Sequence, residues 1–363
     1  MAKRVSLDKV LFSVTLVLVV IGVVFVFSAS AVMAKDRYGS PYTFFFRQLA
    51  WAVVGLLAMV VIAKINYRHY QRPSVVFTAL SVTTLLLLIV FFLDRSHNTH
   101  RWIHAGPFSL QPSELAKPAI ILFLAYFLES RTRTLNDWRS TLIPAVLPPL
   151  LLAALIVGEP DLGTALACLA ITICVLFAAG LDLKYIGYGF VALLPVLCWL
   201  VFLVPWRARR MMVFLHPGDD VRGAGFHIWQ SLIAVGTGGL SGVGLMEGKQ
   251  KLFYLPEPHT DFIFSVIAEE IGLIGAVVVV ALFTVFMVRG LRAATLAPDN
   301  FARFLAVGIT AMIAVQALFN ISVVLGLLPT KGIPLPFISY GGSSLFIMLA
   351  SMGVLLNITQ HVE

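Results

Sequence analysis

VLFSVTLVLVVIGVVFVFSASAVMA, residues 10–34, is a run of 25 residues without a charge. That exceeds the roughly 20 apolar residues that carry a helix across ~30 Å of hydrocarbon. It is too long for a signal-peptide core and has no convincing small-residue cleavage site, so it reads as a helix of the mature chain. Similar charge-free runs cover 73–93, 140–158, 162–181, 185–206, 304–330 and 332–362. The 363 residues are 59% hydrophobic and only 12% charged. A soluble domain, with about a quarter of its residues charged, is excluded.

These runs lack the period-2 alternation of an outer-membrane barrel, so the spans are helices that satisfy their own backbone groups. Three more complete the set: 44–63 with Arg47 able to snorkel, 113–129 with Glu114 and Lys117 at its mouth, and 262–288 interrupted by Glu269 and Glu270. The expected fold is all-α, one polytopic membrane domain over 1–363. Its ten spans are about 10–34, 44–63, 73–93, 113–129, 140–158, 162–181, 185–206, 262–288, 304–328 and 338–359, with a long external loop at 207–260.

Ten spans put both termini on one side. That side collects 13 of the 26 Lys and Arg; the other side also has 13, but six belong to the long segment, which counts little toward orientation. The short-loop balance of 13 against 7 places both termini in the cytoplasm. The net charge of +8 is then mostly an orientation signal, and no nucleic-acid partner is needed to explain it. Cys168, Cys174 and Cys198 all fall within spans and read as small apolar packing residues, with no disulfide framework or CxxC metal site.

The informative polar residues gather on the opposite, external face: RWIHAGPFSLQPSELAK (101–117), GEPDLGTAL (158–166), YLPEPHTDFIFSVIAEE (254–270) and LPTKGIPLPFISYGGSS (328–344). Asp261 precedes an apolar helix. It can cap that helix, or act as a general base held by the Pro256/Pro258 approach, or both. Glu269 and Glu270 lie two turns deeper, where an unpaired charge is costly; Glu270 is read as a structural ion pair or a protonated acid inside the bundle. Glu114 and Lys117, at i and i+3, can pair as an anchor, or in a cavity can position an anion or orient Asp261. Arg101 adds a cation on the same side, and Asp161 reads as a helix cap. Lys331 beside the Gly341-Gly342-Ser343 helix start makes a candidate phosphate site, although small residues also serve close helix packing. His259 and Ser339, in the same blocks, join the candidate substrate contacts.

Four of these blocks, PEPHTDFIFSVIAEEIG (256–272), ISYGGSS (338–344), PDLGT (160–164) and RWIHAGPFSLQPSELAK (101–117), resemble the signature blocks of the SEDS family (shape, elongation, division and sporulation). Its members include FtsW, RodA and a sporulation homologue, and the 330–344 stretch is closer to the FtsW type. The resemblance covers the whole chain. It implies a peptidoglycan glycosyltransferase that polymerises lipid II at the outer face of the bacterial cytoplasmic membrane. It also implies a class B penicillin-binding protein as transpeptidase partner, further divisome or elongasome membrane proteins, and assistance by Mg2+ or Mn2+. No ligand cluster of diagnostic spacing marks a metal site. The essential aspartate of the family's external loop maps onto Asp261, and the Glu and Lys of its QPSELAK block onto Glu114 and Lys117. The rival from another class is a lipid II flippase, since intramembrane acids and ten spans suit transporters too.

Overall fold

The computed structural model describes residues 7–93, 101–105, 108–216, 223, 225–252, 254–330 and 332–361. Twelve helices follow in order among them: α1 Lys9–Tyr38, α2 Thr43–Ile62, α3 Pro73–Leu93, α4 Pro112–Glu129, α5 Ile143–Gly158, α6 Leu162–Ala178, α7 Leu183–Phe202, α8 Pro205–Leu215, α9 Phe226–Gly238, α10 Ile263–Thr295, α11 Asn300–Val324 and α12 Gly342–Thr359. One antiparallel hairpin, β1 Ile103–Ala105 with β2 Phe108–Leu110, leads into α4. Eight helices are long and apolar enough to cross a membrane: α1, α2, α3, α5 with its preceding π turn, α7, α10, α11 and α12. Of the other two expected spans, α4 carries Glu114, Lys117 and Glu129, and α6 has 17 residues.

Local chemistry sets the helix ends. Asp8, Asp161 and Asp299 each accept a backbone N–H three residues on, at 3.0, 3.1 and 2.8 Å, capping α1, α6 and α11. Inside the bundle, Thr15, Ser30, Thr172, Thr310 and Ser351 return their hydroxyls to the carbonyl four residues back. Polar groups without water near them are thereby satisfied. The interior is built from α4, α11 and α12, while α12 also packs on α2 and α10 on α9. α7 buries no residue and packs chiefly on α8.

Two expectations need correction. The stretch expected as one loop, 207–260, contains most of α8 and all of α9, and α9 packs against α10 through Ser231, which meets Ser265 at 2.7 Å and donates to the Val324 carbonyl at 2.8 Å. Thirteen residues are too few to read as a span. Residues 262–288 are also not one helix interrupted at its glutamates. The break is two residues after Glu270, at Gly272, with φ 73° and ψ −163°.

The broken α10 is repaired from outside. Leu273 and Ile274 N–H donate to the Gly239 and Leu240 carbonyls at 2.9 and 3.2 Å, and the Glu269 and Glu270 carbonyls accept from Val243 and Gly244 N–H at 3.0 and 3.1 Å. The side chains of the same two glutamates then clamp this segment. Glu269 accepts Lys249 N–H at 2.8 Å and Gln250 N–H at 3.1 Å. Glu270 accepts Met246 N–H at 2.9 Å, pairs with Lys251 at 2.6 Å and takes the Ser28 hydroxyl at 2.6 Å. The structural reading of Glu270 therefore holds, and Glu269 shares it. A short half-helix, 263–271, is set off from the remaining 23 residues, which rise about 34 Å.

A side chain at Gly272 meets both an essentially glycine-only backbone conformation, costing about 1–3 kcal/mol, and a clash, since its Cβ would lie 2.3 Å from the Gly242 nitrogen. Gly272→Ala is expected to lower the apparent melting temperature in detergent by several degrees. Gly187→Ala in α7, where nothing lies within 4 Å, should leave it unchanged or raise it.

Candidate active site

A cavity of about 830 Å³ opens at the end of the bundle where α4, α6, α10 and α12 begin and α7 and α11 finish. Its walls are Arg101, the start of α6 with Asp161, the α8 arginines Arg207, Arg209 and Arg210, the approach to α10 with Glu257 and Asp261, and Pro329, Thr330 and Gly332 after α11. Asp261 stands at the tip of the half-helix but does not cap it. The N-cap is Phe262, which makes no side-chain cap bond. The carboxylate is left for the cavity, with so little room behind it that a Cβ on Gly332 would come within 2.9 Å of Oδ2.

The backbone beneath Asp261 is held from one neighbouring wall. The carbonyls of His259, Thr260 and Asp261 accept in turn from Tyr340 N–H at 2.9 Å, the Ser339 hydroxyl at 2.6 Å and the Asn320 amide at 2.8 Å. Ser339 in turn accepts Leu335 N–H at 2.8 Å.

The cations are placed by aromatic and backbone contacts. The guanidiniums of Arg207 and Arg210 both lie 5.1 Å from the centre of the Trp206 ring. Arg207 donates to the Leu200 carbonyl at 3.2 Å, and Arg101 reaches the carbonyls of Glu159, at 3.0 Å, and Pro160. Burial and then Arg101 depress the pKa of both Arg207 and Arg210, the mark of like charges sharing a partly dry space. Guanidiniums held this way suit a polyanion that can replace the lost water.

Among these charges burial pushes Asp261 up to about 7, with Glu257 and Asp161 adding to the rise and Arg101 and Arg210 opposing it. An acid with that pKa takes and gives up protons near neutrality. Glu159, buried with both oxygens unpaired, is driven to about 8 by burial and then Asp161, so it is neutral at pH 7. Burial and Arg37 hold His259 down at about 4; its approach to Glu257 at 3.8 Å is therefore no ion pair at neutral pH.

Of the expected site residues, Asp261 and Arg101 line the cavity together and Asp161 joins them as a cap. The others lie elsewhere. His259 is packed between Phe44 and Tyr340, with ring centres at 4.7 and 5.5 Å. Ser339 spends its hydroxyl on backbone. Glu114 and Lys117 pair at 2.7 Å in full burial, and Glu114 also takes the Ser344 hydroxyl at 2.8 Å, tying α4 to α12. Gly341, Gly342 and Ser343 do not form an anion cradle on the cavity: Gly342 lies against Trp51, and Ser343 is buried. Lys331 lies outside the described residues. Sequence reasoning missed Arg207, Arg209, Arg210 and Asn320. Their signals were a Trp-Arg-x-Arg-Arg cluster just after an apolar run and one amide within another. Among the described residues no group of three or more His, Cys, Asp or Glu side chains is arranged to hold a metal ion. Among the described residues, a divalent cation as implied by the resemblance thus has no cage of such side chains.

The whole chain has known counterparts. The family model FtsW/RodA/SpoVE, described as "Cell cycle protein", matches residues 8–363. A protein of Geobacter sp. (strain M18) named "Probable peptidoglycan glycosyltransferase FtsW" is 46% identical over 361 residues, 98% of this chain and 97% of the relative. "Stage V sporulation protein E" of Bacillus subtilis (strain 168) is 41% identical over 360 residues, 99% and 98% of the two chains. Among solved structures, one described as "Structural coordination of polymerization and crosslinking by a peptidoglycan synthase complex" is similar with a TM-score of 0.79 at 29% identity, covering 98% of both chains. The rod shape determining protein RodA of Thermus thermophilus follows at 0.71 and 27%, covering 98% and 97%.

The electrostatic balance at Asp261 can be read by its carboxyl infrared band, taken as wild type minus Asp261→Asn. The midpoint is expected near pH 7. Arg210→Ala removes a charge that favours the carboxylate and should move the midpoint up, whereas Glu257→Gln removes one that disfavours it and should move it down.

Proposed function

The chain belongs to the FtsW/RodA/SpoVE family, and from that premise we propose that it is a peptidoglycan glycosyltransferase, of FtsW leaning, that polymerises lipid II into β-1,4 glycan strands. It is an integral membrane protein. The ten-span reading counts α4 and α6 with the eight longer helices, puts both termini in the cytoplasm and opens the cavity to the outer face. A class B penicillin-binding protein is its proposed transpeptidase partner, alongside other division or elongation membrane proteins.

One observation carries the reaction: a single cavity sets the Asp261 carboxylate among four guanidiniums, those of Arg101, Arg207, Arg209 and Arg210. Lipid II joins an undecaprenyl tail to an amino-sugar disaccharide through a diphosphate. Asp261 accepts the proton of the acceptor's 4-hydroxyl as that oxygen attacks the anomeric carbon of the donor. The bond to the α-linked diphosphate breaks with its electron pair, and the new bond is β. Arg101, Arg207, Arg209 and Arg210 stabilise the charge that develops on the leaving diphosphate, a large contribution in a partly dry site. The arginines replace Lys117 and the Gly341-Gly342 helix start as the proposed diphosphate ligands. Glu114 and Lys117 act in this reading as the tie that sets α12 against α4.

The test is glycan polymer from labelled lipid II, with the protein purified in detergent together with its transpeptidase. Asp261→Asn should lose about 100-fold or more in rate, while Arg210→Ala should lose about 10- to 100-fold in kcat/KM. The carboxylate is the active form, so the wild-type rate should rise about tenfold per pH unit below pH 7 and level off above it. Polymer from Asp261→Asn at the wild-type rate would sink the assignment. The absence of any polymer from the wild type, with lipid II crossing proteoliposome bilayers, would favour the flippase.

A further inference from the structure

Asn320 sits in the penultimate turn of α11, 2% exposed, and it is not a lining residue of the cavity. Its amide nitrogen has two hydrogens and makes two bonds of 2.8 Å, one to the carbonyl of Asp261 and one to the carbonyl of Ile333. The amide oxygen has no partner. A buried acceptor left unpaired is a cost, so the residue is kept for its two donors. The Tyr340 N–H and the Ser339 hydroxyl also join this loop to the segment after α11, but each with a single bond.

The two carbonyls belong to two neighbouring segments that both reach the cavity, the one that carries Asp261 and the one that carries Gly332. Ile333 follows Gly332, whose bare α-carbon makes the space for the Asp261 carboxylate. A shift of the 332–333 backbone toward or away from Asp261 therefore changes both the room behind the carboxylate and its distance to Thr330, whose carbonyl receives Arg210 at 3.5 Å. The next donor along the same wall, the Ser339 hydroxyl on Thr260, fixes the neighbouring carbonyl, and Gln48 holds the Ser339 carbonyl at 3.2 Å.

We infer that Asn320, assisted by Ser339, is a positioning residue for the transfer reaction: its two donors fix the distance between the Asp261 wall and the 332–333 wall. This rests on the reading of Asp261 as the base. The placement of a base within a few tenths of an ångström governs proton transfer more than it governs substrate affinity, which here resides in the arginines and the lipid tail. Loss of the clamp should therefore appear in kcat rather than in KM.

The experiment uses full-length protein with its transpeptidase and labelled lipid II, comparing wild type, Asn320→Leu, Asn320→Gln, Ser339→Ala and Asp261→Asn. Leucine keeps the volume and removes both donors. Asn320→Leu is expected to lower kcat about tenfold or more with KM within about threefold, and to move the midpoint of the rate-against-pH curve away from about 7, because the carboxylate changes its distance from Arg210 and Glu257. Asn320→Gln, which keeps the donors on a longer stem, should restore part of kcat. Ser339→Ala should show the same kcat-selective pattern more weakly, and it decides the question alone if Asn320→Leu does not fold. A kcat within about twofold of wild type in the folded variants overturns the inference. So does a joint fall of kcat, affinity and melting temperature with the pH midpoint unmoved, which describes a merely structural amide. Full activity in Asp261→Asn overturns the reading of the base instead, so the two failures are told apart.

Discussion

The break at Gly272 is the constraint from which the site follows. A helix interrupted among apolar neighbours leaves carbonyl and N–H groups that lipid cannot satisfy, each costing several kcal/mol. The 239–251 segment supplies the missing partners through four backbone bonds and then through Glu269 and Glu270. Two buried carboxylates look like a liability in so apolar a chain. Here each is covered by N–H groups, a lysine or a hydroxyl, the condition under which burial of charge is tolerated. The result is a half-helix whose tip is free to carry chemistry, since its cap position is taken by Phe262 and not by Asp261.

At that tip two large effects oppose each other. Burial with Glu257 and Asp161 nearby makes Asp261 harder to ionise, and Arg101 and Arg210 make it easier. Burial wins, but only to about 7. A carboxyl left at its ordinary value would be too weak a base, and one driven as far as Glu159, at about 8, would be mostly protonated at neutral pH. In the proposed reaction Arg101 and Arg210 favour the ionised form of Asp261 and, with Arg207 and Arg209, would also form the site for an anion. A diphosphate seated among them would offset their pull on Asp261, so the carboxylate would become more basic as the substrate arrives. Binding and activation of the base are coupled by the same charges.

Much of this was legible in the sequence because it is written in hydropathy and in single residues. Charge-free runs located six of the eight helices long and apolar enough to cross a membrane, Asp161 behaves as the cap its position implied, and Glu270 is paired as expected of an intramembrane acid. Asp261 stood out through its rigid Pro-Glu-Pro approach. What escaped is chemistry that depends on tertiary neighbours. Arg207, Arg209 and Arg210 were counted as loop charge, because nothing local says that a short α8 turns them onto one cavity with Arg101, some hundred residues earlier. Asn320 is one amide in a run that otherwise reads as lipid-spanning. The strain at Gly272 depends on the backbone of Gly242 and Leu240, which no pattern around Gly272 reveals.

The helix start at Gly341-Gly342 shows how two anion-binding devices are decided between. A free helix N-terminus presents about half a positive charge and a few N–H groups, and the glycines there look suited to a phosphate. In the fold that terminus faces Trp51, and the hydroxyl of Ser344 is given to Glu114, so its glycines serve close packing of α12 on α2. Four guanidiniums bring whole charges and fixed pairs of donors to the cavity where Asp261 points. The same Glu114 that holds α12 in place is neutralised by Lys117 at 2.7 Å, which removes that lysine from the pool of cations for substrate. The arginines are then the proposed contacts of the diphosphate, and the Gly-Gly-Ser-Ser block is a packing element that sets the wall carrying Ser339 and Tyr340 against the Asp261 segment.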